Sequence, residues 1–192
     1  MNCFTCTSKF PNSSSDFSIA NGNSFATRYH AYFPIVPAYM LGPRLTSEIK
    51  KADHFLLTVI LAIASRDWPG HLLTHRYCWD YTEHMLPEVL LAYRWAYTPR
   101  TVQALLLLAE WFPYQTRKDQ TASSKSLLSD DQAAWSIIGL AVRQAYLLRL
   151  DRAAFPKAEC RESHGQDQEE EKRLIWTCMS CFPLKFANVS AR

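Results

Sequence analysis

Apolar positions in this chain recur mostly at spacings of three and four, the period of a helix, and no stretch keeps the strict alternation of a strand. The clearest run is residues 98–113, TPRTVQALLLLAEWFP. Thr98 is placed to offer a side-chain oxygen to free backbone N–H groups, and Pro99 stands where a missing N–H costs nothing, so a helix is predicted to start here. Pro113 is expected to stop it. Val102, Leu105, Leu106, Leu108, Ala109 and Phe112 cover more than one face, and Leu107 interrupts the polar stripe of Arg100, Gln103 and Glu110. A helix apolar nearly all round belongs inside a bundle.

Other elements follow from the same period. A long helix capped by Thr46 or Ser47 is predicted to run to about Arg66, with Ile49, Phe55, Leu56, Val59, Ile60 and Ile63 inward and Lys50, Lys51 and Asp53 wet. A second starts at Pro69 or Gly70 and carries Tyr77, Trp79, Tyr81 and Met85 until Pro87 kinks or ends it; a further helical turn or two fits 88–97. Ser129 and Gln132 form a capping box for a helix to about Leu150, packing Trp135, Ile138, Val142, Ala145 and Leu148. Gly139 inside it suggests a close-packed neighbour. A last helix, 167–182, is acidic at its start, apolar at Leu174, Ile175, Trp176 and Cys178, and closed by Pro183.

Between these lie less regular stretches. Residues 1–28 are rich in Ser, Asn and Thr and read as a disordered leader. Residues 29–44 mix aromatics with three prolines, which suits an extended, partly buried strap. Polar residues 114–128 read as a linker, 155–165 as a loop and 184–192 as an unstructured tail. The expectation is an all-α domain over 29–183, an irregular bundle or array of five to six helices.

Composition narrows the function more than it names one. At 192 residues, 48% hydrophobic, the chain suffices for one domain with a real core. Five glycines are few for a turn-rich β fold. A net charge of +3, with basic residues scattered, supplies no concentrated patch for a phosphate backbone. The longest apolar run, 55–64, is about half the ~20 residues needed to cross a bilayer, and no secretory signal is visible, so the six cysteines read as reduced thiols in an intracellular protein.

Candidate chemistry is thin. His71, His75 and Cys78, at i, i+4 and i+7, could present two imidazoles and a thiolate to zinc on one helical face. The metalloprotease pattern would require glutamate where Leu72 stands, so the blander reading is an interfacial face where the histidines meet water or a carbonyl. Cys3-x2-Cys6 and Cys178-x2-Cys181 are too far apart for a zinc ribbon and read as unliganded thiols. The run Glu169-Glu170-Glu171-Lys172-Arg173 reads as a charged helix start before it reads as a docking surface. Trp79, Tyr81, Tyr93, Trp95 and Tyr97 could line a pocket, or simply fill the core. There is no phosphate-binding glycine loop, nucleophile elbow or dinucleotide fingerprint, so no enzyme is expected and no catalytic, cofactor or metal residue is assigned.

Four segments, taken in order, resemble the regulatory middle region of fungal zinc-cluster transcription factors. FLLTVILAIASRD (55–67) looks like that family's early helix, TVQALLLLAEWFP (101–113) is similar to its central helix, AWSIIGLAVRQAYLLRLDR (134–152) to the next, and RLIWTC (173–178) to the arginine-and-tryptophan motif that follows. The family usually carries glycine where Arg149 stands, so the turn after that helix is expected to differ; its helical region continues well beyond Cys181, so this chain looks truncated. The six-cysteine, two-zinc cluster that reads DNA is missing, since Cys3 and Cys6 have no four companions nearby. The resemblance implies a nuclear regulator of RNA polymerase II transcription. This region would act through protein partners of the transcription machinery, intramolecular contacts or a small effector. Zinc and DNA would be met only through the missing cluster, and a membrane not at all. The alternatives are a stand-alone helical interaction module and a metal-dependent enzyme built on His71, His75 and Cys78.

Overall fold

The computed structural model describes residues 24–41, 53–66, 70–111, 130–154 and 166–189. Among these residues the chain is all-α, with no strand. Its helices are α1 (Ala38–Leu41), α2 (His54–Arg66), α3 (Leu72–Leu90), α4 (Pro99–Glu110), α5 (Asp130–Leu147), α6 (Leu150–Ala154) and α7 (Gln166–Val189), with a π-helical turn at Ala26–His30 and a 3₁₀ turn at Arg94–Ala96. The proposed caps at Thr46 or Ser47 and at Ser129, the stop at Pro113, the linker 114–128 and the loop 155–165 lie outside the described residues, as do residues 1–23 of the leader.

Helix α4 is the centre. Every residue from Thr101 to Ala109 is buried, as an apolar helix inside a bundle must be. It packs against α2 on one side and α5 on another, with α7 crossing nearby; α3 lies against α2, and α6 lies between α5 and α7. The predicted inner face of α2 is confirmed in Phe55, Leu56, Val59, Ile60 and Ile63, all joined to α4 in one hydrophobic core.

The start of α4 departs from the expected cap. Thr98 has extended geometry and its carbonyl accepts from the Thr101 N–H at 3.1 Å, yet its side chain makes no bond to a backbone N–H. The Thr98 hydroxyl lies instead 3.3 Å from that of Thr101, so Pro99 carries the start of the helix without it.

Helix α3 runs through Pro87 to Leu90. Pro87 and Glu83, whose carbonyl the ring deprives of a donor, both lie on the exposed side, where water can serve that carbonyl. The helix ends instead at Ala92, which takes φ +53 while its N–H reaches the Val89 carbonyl and the Tyr93 N–H reaches that of Glu88, both at 3.0 Å. This left-handed closure is usually made by glycine. Helix α5 closes alike on Arg149, φ +56, whose N–H bonds the Tyr146 carbonyl at 3.0 Å.

Further expectations need correction. The helical backbone of α7 continues through Pro183 to Val189, into the stretch read as a tail. Residues 29–44 are not an extended strap where described, since their ends coil into the π turn and α1. Phe25, Tyr29, Phe33, Ile35, Val36 and Met40 are all buried, so the folded body begins before residue 29 and recruits the end of the leader. Finally, Trp135 is 44% exposed, while Ile137, Ile138, Ala141 and Ala145 form the buried side of α5. A Cβ added at Gly139 would meet nothing within 4 Å, so no close neighbour explains that glycine.

Candidate functional site

Sequence directed attention first to the face bearing His71, His75 and Cys78, and the structure takes these residues apart. His71 precedes the first turn of α3 with its side chain half-buried. His75 Nδ1 lies 2.8 Å from the Ala62 carbonyl, tying α3 to α2. Cys78 is buried, and burial pushes its thiol from 9.0 up to about 12, so the thiolate a metal requires is disfavoured. No group of three metal-binding side chains gathers among the described residues. A histidine meeting a carbonyl is what the blander reading anticipated for His75.

The aromatic set does not assemble into one pocket either. Trp79 is in the core, Tyr93 and Tyr97 are about half exposed, and Trp95 donates to Glu88 Oε2 at 2.6 Å while packing on His54 and Phe55. Trp95 lines a small cavity of about 10 Å³ with Asp53, Thr98, Arg100 and Thr101, room for about one water. Of the CxxC pairs, Cys178 is half-buried and Cys181 exposed, and Cys3 and Cys6 lie outside the described residues.

A polar centre that local pattern could not reveal forms around the first turn of α4. Arg100 faces two carboxylates: its Nη1 pairs with Glu171 Oε1 of α7, and its Nε lies 3.8 Å from Asp53 Oδ1 just before α2. The same guanidinium donates to Gln103 Oε1 at 3.1 Å. Gln103, fully buried, donates its amide to the Ile35 carbonyl at 2.9 Å and to Glu171 Oε1 at 3.0 Å. Four segments are thus joined by one charged and hydrogen-bonded knot, its partners satisfied on every side. Asp53, expected to be wet, is only 14% exposed at its side chain.

Against this knot, Pro99, Arg100, Gln168, Glu171 and Lys172 line a partly open groove of about 270 Å³. The acidic run at the start of α7 divides its labour there. Glu171 turns inward to Arg100, Glu169 pairs with Lys172 at 2.7 Å, Glu170 stays in water, and Arg173 Nε reaches the Ala153 carbonyl at 3.4 Å. Such an arrangement braces helices. No described helix is long and apolar enough to cross a membrane.

Comparison of the chain with protein-family models, with curated proteins and with solved structures returns no match.

Proposed function

We propose that this chain is part of the helical regulatory body of a fungal zinc-cluster transcription regulator, acting in the nucleus through protein contacts in RNA polymerase II transcription. The observation that carries the reading is Arg149. The family usually has glycine at this place, and here the backbone takes φ +56, a conformation that glycine adopts freely and arginine only at a cost. A local backbone requirement at that one position links the resemblance to geometry. In support, the four resembling segments fall on α2, α4, α5 with α6, and α7, which pack on one another in a single core.

In this reading the chain's own activity is interaction. Two helical packings biased by a partner or a small effector would give such a body its regulatory effect. The test is the coding DNA on the 5′ side of the gene, together with a reporter assay of the full chain tethered to a heterologous DNA-binding domain. An in-frame run of six closely spaced cysteines, with a change in reporter output, supports the proposal. Absence of the cysteines with an unaffected reporter overturns it.

A stand-alone interaction module is the second reading, favoured by the exposed Leu72, Leu73 and Tyr77 on the outer side of α3. The metal-dependent enzyme gains no support from side-chain placement, because His75 is engaged by Ala62 and Cys78 is buried as a thiol.

A further inference from the structure

The surface where residues 90–97 meet the end of α5 combines exposed apolar side chains with cations. Three hydrogen bonds bring it together: Gln144 Nε2 to the Val89 carbonyl at 2.6 Å, Arg143 Nη1 to the Leu90 carbonyl at 2.7 Å, and the Tyr97 hydroxyl to the Leu147 carbonyl at 2.6 Å. They seat the segment 90–97 beside the C-terminal end of α5. Leu90, Leu91, Tyr93, Tyr97, Tyr146 and Leu147 stand out there, Leu91 at 65% and Tyr146 at 58% exposure. Apolar side chains in such a cluster mark interaction surfaces, whereas single ones do not.

The charge on the same two segments is one-sided. Arg94, Arg143 and Arg149 are exposed, and no ion pair joins any of them to a carboxylate among the described residues. Of the acids nearest in the chain, Glu88 is engaged by Trp95 and Asp151 is half-buried at the start of α6. A second copy docking by this face would set arginines against arginines, a like-charge cost in a self-complementary contact. A nucleic-acid backbone calls for a longer cationic track than three guanidinium groups. Tyrosine and arginine around leucine are the residue types that anchor protein segments.

From this juxtaposition we infer that the 90–97/143–149 surface docks an acidic segment of a partner protein, one with leucine or phenylalanine interspersed among aspartate and glutamate. This deepens the interaction-module reading and rests on it. The leucines and tyrosines receive the apolar side chains, and the arginines pair with the carboxylates at the rim, giving orientation and a salt-dependent on-rate.

The experiment is fluorescence anisotropy of the full chain with a labelled synthetic peptide of mixed Asp/Glu and Leu/Phe. One control peptide has its acids replaced by lysine, and another keeps the acids but replaces Leu/Phe with serine. The acidic, apolar peptide is expected to bind saturably, with each control weaker by about tenfold or more. The paired variants Leu91→Ser/Tyr93→Ser and Arg94→Glu/Arg149→Glu should each weaken binding without a fall in helical circular dichroism. Arg76→Glu, an exposed arginine nearly four turns before Leu90 on α3, should leave it unchanged. The inference is overturned by absent binding, by equal binding of a control, or by folded surface variants that bind as the parent does. Tighter binding of duplex DNA through the same arginines overturns it too, as does a dimer in sedimentation that the Leu91/Tyr93 pair disrupts. Peptide binding in a chain whose gene lacks the cysteine cluster and leaves the reporter unaffected keeps this surface and removes the transcriptional reading; the reverse result removes only the surface.

Discussion

Gln103 donates its side-chain amide to the backbone carbonyl of Ile35, 68 positions earlier in the chain, at 2.9 Å, and both residues are completely buried. Through this bond the irregular N-terminal segment is read by the central helix at a main-chain atom, independently of which side chain stands at 35. Replacing Gln103 with leucine keeps the volume but leaves that carbonyl and Glu171 short of a donor. The cost should be about 1–3 kcal/mol of folding stability, measured by urea denaturation. A loss below about 0.5 kcal/mol would mean that water serves the carbonyl equally well.

Gly139 lies on the exposed side of α5 with open space where a Cβ would go. Gly139→Ala should therefore stabilise the protein by about 0.5–1 kcal/mol, through reduced freedom of the unfolded chain and better helix propensity. Thermal melting at matched concentration reads the shift. A destabilised variant would reveal a neighbour against that face.

Ala92 and Arg149 both close helices in the left-handed region. Glycine should relieve about 1 kcal/mol of steric cost at each, less the extra entropy that glycine gives the unfolded state. Ala92→Gly and Arg149→Gly are thus expected to be neutral to stabilising, whereas Gly70→Ala, at φ +96, should destabilise. The opposite sign at both 92 and 149 in denaturant titrations would place these residues outside the left-handed conformation in solution.

Cys78 and Cys181 should differ sharply toward a thiol reagent. Cys181 is exposed, while Cys78 is buried with its thiol pushed to about 12. In native protein at neutral pH, Cys181 should be alkylated promptly and Cys78 only as the chain unfolds, as peptide mass spectrometry would show. The sign of the pH effect follows. The folded state holds this proton more tightly, so the contribution of Cys78 is whole below pH 9.0 and is lost as pH rises toward about 12. The loss is about 1.4 kcal/mol per pH unit, and Cys78→Ala should flatten that part of the alkaline stability curve.

The helices were legible because burial repeats along a helix with a local period. Phe55 through Ile63, and Val102 through Ala109, carry enough leucine and isoleucine that any compact packing must enclose them. The same local logic misjudged Thr98, whose hydroxyl found Thr101, and Trp135, whose ring lies on the side that α5 turns outward. It also took Pro183 for a stop, which the backbone of α7 passes.

What the chain determined by itself is the all-α class, the positions of the buried helices and the identity of α4 as their centre, because periodic apolar side chains leave water wherever the backbone bonds locally. Tertiary structure alone decided that Arg100 meets Asp53 and Glu171, that Gln103 reaches Ile35, and that residues 90–97 stand beside 143–149. Those pairings join residues far apart in sequence. They depend on how helices cross, and crossing is set by the fit of whole surfaces, which no short window of residues contains.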